Sequence, residues 1–418
     1  MMETSHEKAP ANPNYSYMLL KLSSNQVKLR ETLALCGLAF FLLTLVLPGC
    51  SWIKSWGDEE VGDPAPLVDF ESTLKVKKVW STQVGDGMGK QGLTMAPFYS
   101  SGTIFAADYE GRLLSVNAES GHKNWELKTK QTFSGGPGID DSQIYMGTID
   151  GRVVAFDRNN GDELWNAQVS SEVLVPPVAA DGIVVVRCID GRVFGLDADN
   201  GARVWIYDHS VPLLTLRGNA NLLVRGGVVF VGYDDGSVVT LHLKDGSLLW
   251  SQTVVSPEGR TELERLADVG QQMVIVAGDL IVSSYKNHVV SLAADSGRLL
   301  WFKDISSATG IQVDRTNLAI SESNGDLWLL DRRNGSTLWK QDQLSNRGLT
   351  RPTFYGKFVV AGDKEGYLHW IDSESGEFVA RQRAGKKGFA AAPLTVGTTL
   401  FVLTHKGNLI AYRAGAAL

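Results

Sequence analysis

The stretch IDGRVVAFDRNNGDELW at Ile149 to Trp165 is repeated 40 residues later as IDGRVFGLDADNGARVW at Ile189 to Trp205. In each copy an apolar run meets an Asp-Gly turn, where glycine takes positive φ without a Cβ clash, and the chain returns along a second run such as Arg152 to Phe156. Aligned on that glycine, the pattern recurs at Gly111, Gly151, Gly191, Gly236, Asn287, Gly325, Gly366 and Gly407, eight units in all. Asn287 fits, because asparagine is the next best residue in the left-handed conformation. A second glycine follows 10 residues after the first, at Gly121, Gly161, Gly201, Gly246, Gly297, Gly335 and Gly376. Four residues later stands Trp125, Trp165, Trp205, Trp250, Trp301 or Trp339, with Ala380 in the seventh place. Phe378 is expected to compensate there. Segments such as Gly136 to Ile139 and Pro176 to Ala179 supply one more strand, so each unit reads as a four-stranded antiparallel sheet.

One such sheet cannot bury both faces alone, whereas a closed ring packs every sheet between two neighbours. The expected fold is therefore all-β, an eight-bladed β-propeller of four-stranded antiparallel blades. The last unit stops at Arg413 without a tryptophan strand, while Val76 to Val84, VKKVWSTQV, is a tryptophan strand without a unit. The N-terminal strand should therefore complete the eighth blade and close the ring, with Trp80 in the missing place. A tryptophan at one position in every blade is read as core between blades.

Counting from each tryptophan position to the next first-glycine position gives 31, 26, 26, 31, 37, 24, 27 and 27 residues. The connectors after Trp205 and Trp250 are thus enlarged, and as neighbours on one end of the ring they should form a protruding patch (208–218 and 256–270). Long loops on a rigid scaffold are where binding usually resides.

Composition removes several function classes. With 40 basic and 46 acidic residues the net charge is −6, which offers no dense positive field for nucleic acid. The three cysteines, Cys36, Cys50 and Cys188, include no adjacent pair and no CxxC, so neither a disulfide framework nor a zinc site is expected. The histidines show no HExxH or HxH spacing, and Asp140-Asp141 and Asp234-Asp235 fall on turns. Asp197-Ala-Asp199-Asn200-Gly201 starts like a calcium loop but lies on the repeat turn without the downstream glutamate. GDGMGKQG at Gly85 to Gly92 lacks the first glycine and the Ser/Thr of a phosphate-binding loop and reads as a connector. No catalytic, metal or cofactor-binding residue is assigned, and the chain is not expected to be an enzyme.

The amino terminus carries Lys21, Lys28 and Arg30 ahead of the uncharged run Thr32 to Leu47, the layout of a signal peptide. LPGC at Leu47 to Cys50 resembles a bacterial lipobox. That resemblance implies a signal peptide over 1–49, a lipidated Cys50, a tether over 50–74 and the propeller over 75–413. Acyl chains make a lasting membrane anchor when several are attached. Ser51 is not the aspartate that retains lipoproteins at the inner membrane, so the implied location is the outer membrane of a Gram-negative bacterium, lipid-anchored and facing the periplasm.

AFDRNNGDELW, Ala155 to Trp165, resembles the tryptophan-docking motif of the quinoprotein dehydrogenases, eight-bladed propellers that bind pyrroloquinoline quinone. Their vicinal disulfide and calcium-bound acidic site have no counterpart here, and a membrane-anchored quinone-dependent dehydrogenase is kept as the alternative function. The combination of lipobox and propeller more closely resembles the BamB family of the outer-membrane β-barrel assembly machinery, most sharply in LLTLRG at Leu213 to Gly218, TELERLADV at Thr261 to Val269 and EGYLHWID at Glu365 to Asp372. Members of that family bind the POTRA domains of BamA and help deliver and fold outer-membrane proteins. The resemblance implies a non-enzymatic scaffold that binds BamA and unfolded outer-membrane proteins. Its partner-binding positions fall on Leu214, Leu216, Arg217 and Asp268, with Gly270 where the family has an acid.

Overall fold

A computed structural model describes residues 62–417 apart from 88–92, 94, 213–219, 256–268 and 285–287. The signal-peptide layout, Cys50 and Asn287 lie outside the described residues. Within them all regular structure is strand, arranged as eight four-stranded antiparallel sheets. Blades 1 to 7 occupy 98–128, 133–168, 178–207, 223–253, 269–303, 311–341 and 353–383, each running in chain order from an inner to an outer strand. Blade 8 takes three strands from 394–417 and its outer strand, Leu74–Gln83, from the beginning of the propeller. Trp80 pairs with Ala411 in that sheet, the closure expected from the incomplete last unit.

The tryptophans join neighbouring blades. Trp165 lies over the second turn of blade 3 and donates from Nε1 to Ala198 O at 2.8 Å. Gly201 in that turn has φ 73°, and a Cβ there would come 2.5 Å from the Trp165 ring, so the turn needs glycine for both conformation and space. The same bond runs from Trp80, Trp125, Trp205, Trp250, Trp301 and Trp339 to Ala118, Arg158, Leu243, Ala294, Arg332 and Ser373, each acceptor three residues before the second glycine of the next blade. In its own sheet six of the seven indoles face a small third-strand residue, Ser115, Ala155, Gly195, Thr240, Ser291 or Ala411, and Trp339 faces Leu329.

Blade 7 inverts the pattern, which corrects the expected role of Phe378. Ala380 faces Trp370, so the indole has moved to the third strand, where it is fully buried and its Nε1 has no hydrogen-bond partner among the described residues. Blade 8 takes its outer strand from the other end of the chain and has no second turn to receive an indole. Tyr355 carries the junction instead, donating to Thr398 O at 2.5 Å and accepting from Ala414 N at 3.0 Å. Phe378 stacks on Phe70 at 5.4 Å, with the Arg381 guanidinium over both rings.

Phe70 belongs to the segment 62–73, which runs along blades 6 and 7. Arg347 Nη1 donates to Ala65 O at 2.7 Å, and Arg381 Nη1 to Val68 O at 2.9 Å. Both arginines sit in a buried network. Arg347 Nε donates to Asp363 at 2.8 Å, His369 Nε2 to the same carboxylate at 2.9 Å, and Arg381 Nε to His369 Nδ1 at 3.4 Å. These partners set the neutral His369 tautomer with its proton on Nε2. Burial depresses the His369 pKa against the pull of Asp363. Burial would raise the Asp363 carboxyl, but the bonds from His369, Tyr367 N and Arg347 outweigh it and hold the group below its ordinary value.

Two outcomes follow from this packing. Trp165→Ala should cost roughly 3–5 kcal/mol and Trp165→Phe about 1 kcal/mol, the latter for the indole hydrogen bond, read as shifts in the denaturant midpoint. Both depressed groups place their stability loss on the acid side: the unfolded chain takes up a proton at His369 near pH 6.5 while the folded chain does not. Thermal midpoints should fall as pH drops below about 6.5, and His369→Gln should flatten the part of that slope between about pH 5 and 6.5. An unchanged slope in the variant would remove His369 from this account.

Candidate partner-binding face

The first-glycine turns and the connectors between blades share one end of the ring, because the residue following each outer strand donates back to the turn: Thr129 N to Gly111 O, Val169 N to Gly151 O, Val254 N to Gly236 O and Ala384 N to Gly366 O. The two enlarged connectors leave blades 3 and 4 on this end. Leu214, Leu216, Arg217 and Asp268 fall within them and lie outside the described residues. What the structure does describe is how the loop stems are held.

Both stems converge on Tyr233, Asp234 and Asp235, immediately before Gly236. His209, four residues before the first undescribed stretch, stacks on Tyr233 with centroids 3.8 Å apart and places Nε2 2.8 Å from Asp235 Oδ2. Asp235 also accepts from Ser237 N at 2.9 Å and Ser237 Oγ at 2.6 Å. Burial pushes its pKa up, but the bonds from His209 and Ser237 prevail and hold it below the usual carboxylate range, so it is an anion at neutral pH. Asp234 pairs with Arg187 of blade 3 at 3.4 Å with both side chains buried, and the Arg187 guanidinium lies 5.3 Å over the Tyr233 ring.

The second loop returns to the same point. Val269, fully buried, donates from its backbone to Tyr233 O at 3.1 Å. Asn221 lies just after the first undescribed stretch and clamps blade 5: its Oδ1 accepts from Met273 N at 2.7 Å and its Nδ2 donates to Met273 O at 3.3 Å. One turn in blade 4 and one asparagine therefore fix where both long loops emerge. Asp234-Asp235 reads in the sequence only as turn acids, and Asn221 carries no sequence signal, because their partners are 26 to 52 residues away.

The second turn of blade 3 is self-contained. Asp197 Oδ1 accepts from Asp199 N at 2.9 Å and Asn200 N at 3.2 Å, a turn that caps itself. Cys188 is a buried free thiol whose pKa is raised by burial. Among the described residues no group of three His, Cys, Asp or Glu side chains is placed to hold a metal ion.

A family model described as outer membrane protein assembly factor BamB matches residues 109–341. The outer membrane protein assembly factor BamB of Alkalilimnicola ehrlichii is 45% identical over 380 residues, covering 91% of this chain and 96% of that protein. The crystal structure of BamB from Moraxella catarrhalis superposes with a TM-score of 0.74 at 25% identity, covering 81% of this chain and all of that one. Quinohemoprotein alcohol dehydrogenase from Comamonas testosteroni shares the fold alone, with a TM-score of 0.64 at 14% identity over 81% of this chain and 76% of that one.

The asparagine clamp is open to test. Asn221→Ala leaves the buried Met273 N–H without its acceptor and should cost about 1–3 kcal/mol, whereas Asn221→Asp keeps the acceptor and should cost less. Chemical denaturation of the two variants checks the order; equal losses would mean that the Met273 N–H bond is not what the clamp contributes.

Proposed function

The chain belongs to the BamB family of outer membrane protein assembly factors, and from that premise we propose that it is a non-enzymatic scaffold subunit of the outer-membrane β-barrel assembly machinery, held at the outer membrane through lipid on Cys50 and facing the periplasm. The observation that carries this reading is the convergence of the two enlarged connectors on one junction of blades 3, 4 and 5. Loops presented from a rigid base lose little freedom on binding, which favours a protein partner. That partner is BamA, engaged through its POTRA domains by Leu214, Leu216, Arg217 and Asp268.

The outer strands of the same sector support a second contact. Each is paired on one side only. Leu248 and Leu249 on blade 4 and Leu299 and Phe302 on blade 5 are 53%, 42%, 52% and 57% exposed. Open edges with exposed apolar side chains accept added strands. Unfolded outer-membrane proteins would supply them. The quinone-dependent dehydrogenase is not favoured: its likeness is confined to the fold, and Cys188 is a single buried thiol.

Leu216→Ala and Arg217→Glu should each abolish co-purification of BamA from solubilised membranes while leaving stability within about 0.5 kcal/mol of the parent, as expected of residues that serve a partner rather than the core. BamA recovered at the parent level with both variants would remove these residues from the interface.

A further inference from the structure

We propose that the axial cavity of the ring is a binding site for a monocarboxylate carried on a small apolar body. The cavity has a volume of about 370 Å³ and is lined from seven blades, so it lies on the ring axis. Its wall is largely apolar, with Leu174, Val175, Leu349 and Phe389 all buried. A volume of this order with apolar walls and few polar groups is what a small-molecule site requires.

Arg351 supplies the charge. Its stem crosses Gly310 so closely that a Cβ there would meet Arg351 Cδ at 3.3 Å, which aims the side chain across the inner strands of blades 6 and 7. Among the described residues the guanidinium makes one hydrogen bond, from Nη1 to Gln312 Oε1 at 2.6 Å, and no carboxylate pairs with it. Burial accordingly lowers its pKa. Asp363, the acid lining the cavity, is committed elsewhere: its oxygens accept from Arg347, His369, Glu365 N and Tyr367 N. Beside Gly310, Thr309 lines the cavity, and its Oγ1 is buried without a hydrogen-bond partner among the described residues.

A guanidinium without a countercharge and an unsatisfied hydroxyl in one apolar cavity are complementary to a single carboxylate. The planar fork of arginine bonds a carboxylate through two parallel N–H groups. The rest of the wall suits a hydrocarbon body. Lys364 and His405 also line the cavity, and Lys387 acts on His405 as a neighbouring charge, so the surrounding field attracts anions.

The test titrates the full chain with benzoate at pH 7.5 by isothermal calorimetry, with benzamide and inorganic phosphate as separate arms. Benzoate should bind saturably and more tightly than phosphate, and benzamide should not bind. Arg351→Gln should weaken benzoate by roughly 10- to 100-fold, the loss of charge-assisted bonds. Thr309→Val should weaken it by a smaller factor, and this variant carries the test if Arg351→Gln does not fold. Absence of saturable benzoate binding, equal binding of benzamide, tighter binding of phosphate, or parent affinity in the folded variants would each overturn the assignment. Co-purification of BamA is a separate readout, so failure here leaves the scaffold reading intact.

Discussion

The contact on which the ring depends is the indole of one blade laid over the glycine turn of the next. It combines a turn without a Cβ beneath the ring and a carbonyl at the right height for Nε1 with, in every junction but that of Trp339, a small residue across the sheet. For Trp165 these are Gly201, Ala198 and Ala155. The sequence spacing follows from this geometry, because the glycine turn and the tryptophan strand must repeat in step for blade after blade to dock. Each junction is a nearest-neighbour interaction, as in other repeat proteins, but closure of the ring removes the free ends. Where Leu74–Gln83 pairs with the last strand, a tryptophan at position 380 would have no turn to dock on. The Trp370 and Ala380 exchange and the Tyr355 hydroxyl replace it there.

This constraint also decides what could be read from the chain in advance. The fold was legible because its determinants repeat: eight turns and seven indoles in register leave little freedom of interpretation. Closure was legible because Trp80 has no unit of its own and the last unit has no tryptophan. The exchange in blade 7 was not, since the neighbour of Ala380 lies across the sheet 10 residues away and only pairing register reveals it. Phe378, next to Ala380 but one in the chain, is occupied by Phe70, from a segment that reads as tether.

The groups of the axial cavity and of the loop stems were illegible for a related reason. Thr309, Arg351 and Asn221 lie at or just before the short inner strands, several of them only three residues long, which carry little of the repeat pattern. Their meaning comes from convergence on an axis or a junction, and linear distance hides that. Leu214, Leu216, Arg217 and Asp268 stand out by family resemblance and connector length and carry no physical signature of their own in the sequence.

A ring built this way confines variation to its ends and axis, since the strand faces are committed to packing between blades. Two loops of unequal length could in principle move independently. Here His209 and the backbone of Val269 are both held by the Tyr233 to Asp235 segment, and Asn221 joins the far stem of the first loop to blade 5. A displacement of that turn therefore moves both emergence points together. The positions of the two stems are then set by folding, which lowers the ordering cost of any contact made beyond them.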